Sequence, residues 1–162
     1  MNSAGTGRKR QTRNTSDARV PGSSPLTAEG YVERYAGNSF KFSRYVGEPI
    51  NREIYYGKDG SFYTVDLDME SIQYGTWTVN AALGAHLVLK YTSAGIADGK
   101  PYRSGISPTT LYTFALPDGT ASTFSRAPDG AYVNKEPKLT PGFQSRSRFN
   151  AIKRKVDAAL GS

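Results

Sequence analysis

His86 is the only histidine in the chain, so any serine triad or imidazole general base would have to use it. It sits in a strand-like run beside Leu87 and Val88, with no Gly-x-Ser-x-Gly elbow nearby, and it reads as a structural strand residue. Cysteine is absent, which removes thiol catalysis, disulfides and zinc–thiolate sites. Asp66, Asp68 and Glu70 alternate, so on a continuing strand they project from one face, an arrangement able to bind calcium. The run Asp66-Leu67-Asp68-Met69-Glu70-Ser71 lacks the glycine and later glutamate of an EF-hand loop, and solvent-facing charge at a strand end is the simpler reading. Neither a Walker-type phosphate loop nor a Gly-x-Gly-x-x-Gly fingerprint occurs. The expectation is a protein that is not an enzyme, with no catalytic residues, no metal and no cofactor.

Aromatic side chains are the other candidates. The chain holds eleven tyrosines, seven phenylalanines and a single tryptophan, Trp77, in Tyr74-Gly75-Thr76-Trp77-Thr78-Val79. A glycine two positions before a bulky ring lets the ring lie over a bare strand position or lets backbones cross closely. That pattern predicts core packing at a barrel bend, or else a ring lining a ligand cavity. Trp77, Tyr74, Phe62, Tyr112 and Phe114 are the candidates for lining such an interior.

Charge supplies the third group. Residues 1–24 carry Arg8, Lys9, Arg10, Arg13 and Arg19 against Asp17, a net +4, and residues 143–162 also carry +4. The stretch between holds eleven basic and twelve acidic residues, so the basicity of a chain of net charge +7 sits in its two ends. Arg8, Lys9, Arg10 and Arg13, with Lys153, Arg154 and Lys155, are the candidates for contacting nucleic acid or another polyanion.

The elements that must position these groups are mostly strands. A composition rich in aromatics, glycine and proline suits a turn-rich β fold. Ser24-Pro25 reads as the N-cap and first residue of a short helix that carries Leu26, Tyr31, Val32 and Tyr35 and stops at Gly37. A first strand is predicted over 39–46. Asp-Gly turns at Gly57-Lys58-Asp59-Gly60, Pro117-Asp118-Gly119 and Pro128-Asp129-Gly130 predict hairpins. Strands 72–79 and 86–92 form another pair, and 93–108 reads as a long irregular loop. Phe149, Ile152, Val156 and Leu160 recur at spacings of three and four, an amphipathic helix. The fold expected is a mainly β antiparallel meander closing into a lipocalin-like barrel or a strongly curved sheet. It divides into a disordered basic arm (1–24), a β-barrel domain (25–142) and a basic amphipathic helical tail (143–162).

A short helix ending in glycine, the strand Phe40-Lys41-Phe42, Tyr-x-x-x-Gly-Ser-Phe (56–62), Gly-Thr-Trp-x-Val (75–79) and Leu-Pro-Asp-Gly-Thr (116–120) together resemble an uncharacterised lipocalin-like family of exported alphaproteobacterial proteins. The resemblance covers roughly residues 25–134. It implies a small calyx-like barrel in the cell envelope, with no established catalytic residues.

Two functional readings follow. The first is a non-enzymatic binding module that holds a small apolar ligand in its interior or docks a protein partner. The second is binding of nucleic acid or another anionic surface through the basic ends, which includes a structural or coat-like role. No apolar run approaches the roughly 18–20 residues that span a bilayer, so a soluble chain without a transmembrane segment is expected. Met1 leads into polar residues and no signal peptide is visible. The compartment is periplasmic if the chain starts after a removed signal, and otherwise cytoplasmic.

Overall fold

Asp-Gly turns set the order of the strands. In the computed structural model, which describes residues 21–45, 47–82, 84–127 and 130–161, β3 (Arg52–Tyr56) and β4 (Ser61–Asp66) flank the first of them. The Asp59 carboxylate accepts the Ser61 N–H and hydroxyl at 2.9 and 2.6 Å and so locks the turn. Asp118 does the same for Thr120 between β7 (Lys100–Ala115) and β8 (Ala121–Ala127). The third predicted turn falls between β8 and β9 (Gly130–Glu136), and its Pro128 and Asp129 lie outside the described residues.

A fourth Asp-Gly turn lies inside the segment predicted to be a loop. β5 (Ser71–Asn80) pairs with β6 (His86–Ala97), which runs on through residues predicted to be loop and turns back into β7 at Asp98-Gly99. Asp98 and Gly99 have φ of 52° and 75°. Two consecutive left-handed residues make the twist of a tight hairpin, which is why the 93–108 segment is strand rather than irregular.

With β2 (Asn38–Phe42) and the two-residue β10 (Thr140–Pro141), the strands form one antiparallel sheet in the order β10-β2-β3-β4-β5-β6-β7-β8-β9. The sheet is a meander curled into a half-barrel. The chain itself steps from one edge to the other, because only Pro137 to Leu139 separate β9 from β10. β2 ends at Phe42, short of the predicted 39–46.

Two helices cover the two faces. Ser24–Pro25 is not a helix start: it forms β1, paired with Ala115 and Phe114 of β7. Helix α1 (Ala28–Tyr35) begins one turn later, where the Thr27 hydroxyl accepts the Gly30 N–H at 3.0 Å. Its Tyr31 and Tyr35 enter the inner face of the curl and pack with Ile54, Tyr56, Phe62, Trp77, Leu87 and Leu89. Helix α2 (Arg146–Leu160) lays Phe149, Ile152 and Val156 on the outer face against Val65, Ile72 and Ala94. Each buried Phe, Ile, Val or Leu side chain among these contributes about 1.5–3 kcal/mol. Leu160, the last member of the predicted stripe, is exposed. The predicted arm, apart from its last four residues, lies outside the described residues. No described helix is long and apolar enough to cross a membrane.

Candidate functional site

The inner face is occupied by α1. Trp77 donates its indole N–H to the Gly57 carbonyl at 2.8 Å and meets Tyr56 edge-on at 5.7 Å. Tyr56 in turn lies 4.7 Å from Tyr35 and 5.5 Å from Phe62. Above these rings runs a buried polar chain. The Tyr35 hydroxyl donates to Glu136 Oε1 at 2.8 Å and lies 2.8 Å from the Thr113 hydroxyl, while the Thr113 N–H donates to the Tyr31 hydroxyl at 2.7 Å. Arg34 closes the chain on Glu136 at 2.8 Å and on the carbonyls of Gly119 and Pro137. Burial raises the Glu136 carboxyl above its ordinary range, against the pull of Arg34, and raises the phenols of Tyr35 and Tyr56 well above theirs. This network ties α1 to β7, to the β7–β8 turn and to the end of β9.

The five aromatics expected to line one interior do not share it. Only Trp77 and Phe62 face inward. Tyr74 is three positions from Trp77 on a period-two strand and therefore faces outward, where it meets Phe149 and carries the Lys153 ammonium 5.0 Å above its ring. Tyr112 and Phe114 also face outward, opposite in parity to the inward Leu111, and stack with Phe124. His86 joins that cluster, its ring 4.9 Å from Tyr112 and its Nδ1 2.8 Å from the Gly84 carbonyl.

The basic candidates also separate. Arg8, Lys9, Arg10 and Arg13 lie outside the described residues. Lys153 pairs with Asp157 and Lys155 with Glu70, which leaves Arg154, among the described residues, as the exposed member without an ion pair. The alternating carboxylates are taken by cations. Asp66 is buried between Arg44 and Arg52, and Asp68 meets Arg44 at 2.8 Å. Among the described residues no group of three or more histidines and carboxylates is placed to hold a metal.

A different constellation emerges on the outer face, at the start of α2. Tyr55 of β3 and Tyr63 of β4 are direct register partners. Their rings, with that of Phe143, lie within 4–10° of parallel at centroid separations of 5.3, 5.9 and 6.2 Å. The three near-parallel rings are offset-stacked at nearly equal spacing and form a stepped ledge. The Arg146 guanidinium sits 5.4–5.7 Å from all three centroids, over the middle of that ledge.

Backbone architecture holds the ledge and its cations. Tyr55 and Tyr63 flank the Asp59 turn symmetrically, so the hairpin register alone places them side by side. The helix start that carries Arg146 is pinned by the buried Glu53, whose two carboxylate oxygens accept the N–H groups of Gln144 and Ser145 at 3.0 and 2.9 Å. Ser145, the N-cap residue, makes no side-chain cap bond of its own. Lys58 lays its stem over Gly37, where a Cβ would stand 3.0 Å from the lysine Cε. Tyr55, Tyr63, Lys58, Arg146, Asp59, Ser61 and Gly37 enclose an open cleft of about 320 Å³. The Asp59 carboxyl is held below its ordinary range, chiefly by the Ser61 hydroxyl. No family model, curated protein or solved structure matches the chain.

Proposed function

We propose that the protein is a non-enzymatic binding module that takes its ligand on the outer face, on the Tyr55–Tyr63–Phe143 ledge, and that the ligand is an anion carrying a flat ring. The observation that supports this most directly is Arg146 lying over three near-parallel rings beside Lys58. A flat ring gains stacking on such a ledge by taking the place of the Arg146 guanidinium, and a negative charge on the same molecule then meets the displaced Arg146 and Lys58. The described residues lining the cleft offer rings and cations, and its one carboxylate, Asp59, is engaged by the Ser61 N–H and hydroxyl within the turn. A volume of about 320 Å³ lies at the small end of ligand clefts and suits one or two fused rings.

The reading of an apolar ligand held inside the curl has less support, because Tyr31 and Tyr35 of α1 pack directly on the inward rings. A naphthalene sulfonate dye tests the proposal, since it combines a flat ring with a fixed negative charge. One equivalent is expected to bind the native protein, and Tyr63→Ala and Arg146→Ala are each expected to weaken it about tenfold. Binding that survives both substitutions, or that is lost instead on altering the inward Phe62, contradicts the proposal.

A further inference from the structure

Asp-Gly occurs four times in the chain, and three of these units are described in full: Asp59-Gly60, Asp98-Gly99 and Asp118-Gly119. They differ in how they hold the two atoms that such a unit can join, the side-chain carboxyl carbon and the next backbone nitrogen. In the first, the Asp59 carboxylate accepts the Ser61 N–H and hydroxyl, and the Gly60 N–H donates to the Gly57 carbonyl at 3.1 Å. In the last, the Asp118 carboxylate accepts the Thr120 N–H and hydroxyl, and the Gly119 N–H donates to the Leu116 carbonyl at 3.0 Å. Both carboxyls are held below their ordinary range, chiefly by those hydroxyls, which favours the carboxylate over the more electrophilic acid.

The Asp98 unit is held by neither device. Lys100 stands where the other two turns have Ser61 and Thr120. Among the described residues no hydrogen bond or ion pair engages the Asp98 carboxylate or the Gly99 N–H. Asp98 is also the one described non-glycine residue with a left-handed φ, 52°, a conformation strained for a side chain with a Cβ. Both residues are exposed at the tip of the β6–β7 hairpin, beyond its last register pair, Ala97 and Lys100. A Cβ built on Gly99 would meet nothing within 4 Å, so the tip has room to turn when it opens locally.

We propose that Asp98 is a site of spontaneous backbone modification, at which Asp98-Gly99 closes to a succinimide and reopens as isoaspartate. The Gly99 nitrogen attacks the carbon of the protonated Asp98 carboxyl and forms a new C–N bond. The nitrogen gives up its proton, and the carboxyl hydroxyl leaves with that proton as water. A second water then adds to the former backbone carbonyl of Asp98 and breaks its bond to the Gly99 nitrogen, which stays joined to the former side chain. No oxidant, reductant or other reactant is consumed. The product carries one extra backbone carbon, and a two-residue turn cannot absorb it without loss of the Ala97–Lys100 register. Asp98 shares a cleft of about 310 Å³ with Met69, Glu70, Ile96 and Tyr102, so the modification reshapes that cleft. None of these residues lines the ledge cleft.

The experiment ages the full chain at 37 °C in mildly acidic buffer, native and in guanidinium chloride. Isoaspartate is labelled with an L-isoaspartyl methyltransferase and located by tryptic peptide mapping with tandem mass spectrometry. Trypsin separates the three units into peptides 59–90, 91–103 and 104–126. In the native protein Asp98 is expected to convert about tenfold faster than Asp59 and Asp118, and in denaturant all three are expected to convert at similar rates. Ser61→Ala, which takes the hydroxyl from Asp59, is expected to raise native conversion at Asp59 about threefold and to leave Asp98 unchanged. Equal native rates at the three sites would overturn the proposal. A lead for Asp98 that persists undiminished in denaturant would overturn it too, because the preference would then belong to the local sequence and not to the turn. An unchanged Asp59 rate in Ser61→Ala would show that the turn hydroxyl gives no protection, and the contrast that singles out Asp98 would fail.

Discussion

Glu53, buried in the middle of β3, accepts the backbone N–H of Ser145 at 2.9 Å and so acts as the N-terminal cap of a helix ninety-two residues away in sequence. Its other oxygen takes the Gln144 N–H. A charged carboxylate at the positive end of a helix satisfies two backbone donors that no local side chain serves. Glu53 also lies two residues from Tyr55 on the same face, so one short strand sets both the ledge and the helix that carries Arg146.

Removing that cap has two consequences. Glu53→Ala is expected to lower stability by about 3–6 kcal/mol, the loss of two hydrogen bonds to a carboxylate at about 1.5–3 kcal/mol each. Dye affinity at the ledge is expected to fall as well, although Glu53 does not touch the ledge cleft, because α2 no longer holds Arg146 in place. Glu53→Gln, which keeps one acceptor, should recover part of both. Chemical denaturation and dye titration of the three proteins check this. Unchanged dye affinity in Glu53→Ala would separate the cap from the site.

Trp77 is 7% exposed and hydrogen-bonded through its indole N–H. Trp77→Ala is expected to cost about 3–5 kcal/mol, the usual range for deleting a large buried aromatic. It should leave dye affinity at 25 °C unchanged wherever the variant remains folded, because the ring faces inward and the ledge outward. A denaturation midpoint close to that of the parent would place the indole at the surface instead.

The buried Glu136 gives a pH signature. Its carboxyl is raised above the ordinary range, chiefly by burial, so between the unfolded and folded values the native state holds more protons than the unfolded chain. Its contribution to stability is therefore fully present below the ordinary carboxylate range and is lost as pH rises through the folded value. The carboxyls of Asp68 and Asp157, lowered first by hydrogen bonds from Arg44 and Lys153, act in the opposite sense, and their contribution is lost as pH falls. Glu136→Gln is expected to remove the decline on the rising-pH side while leaving the acid-side decline intact. Denaturant midpoints measured across the mildly acidic range give the comparison. Equal slopes in the two proteins would mean that Glu136 does not titrate in that window.

Much of the fold can be read from local chemistry. Asp-Gly pairs between β-prone runs mark hairpins, and Phe149, Ile152 and Val156 mark the buried stripe of α2. Asp98-Gly99 carries the same signal as the other turns, but the prolines and glycines around it resemble a loop. Ser24-Pro25 satisfies the rule for a helix start and is nevertheless strand. β7 offers it a backbone ladder, and Thr27 is a better-placed cap. The aromatic candidates suffered from a parity that was available in the sequence: Tyr74 and Trp77, three apart on one strand, have to point to opposite faces. Two of the three ledge rings are equally legible, since Tyr55 and Tyr63 lie symmetrically about the Asp59 turn. Phe143, Arg146 and the Glu53 cap were not, because only the packing of α2 across the outer face brings them to the hairpin.

The most direct test of an outer-face site distinguishes the two faces of one hairpin. Tyr55 and Tyr63 belong to the ledge, whereas Tyr56, between them in the chain, faces inward against Tyr35 and Trp77. With ring-labelled tyrosine, NMR spectra recorded during titration with the naphthalene sulfonate resolve these rings, once Tyr→Phe variants have assigned them. The account predicts that the Tyr55 and Tyr63 signals shift and saturate at one equivalent while those of Tyr56, Tyr35 and Tyr31 stay in place. Shifts confined to Tyr31, Tyr35 and Tyr56 would place the ligand inside the curl and contradict it.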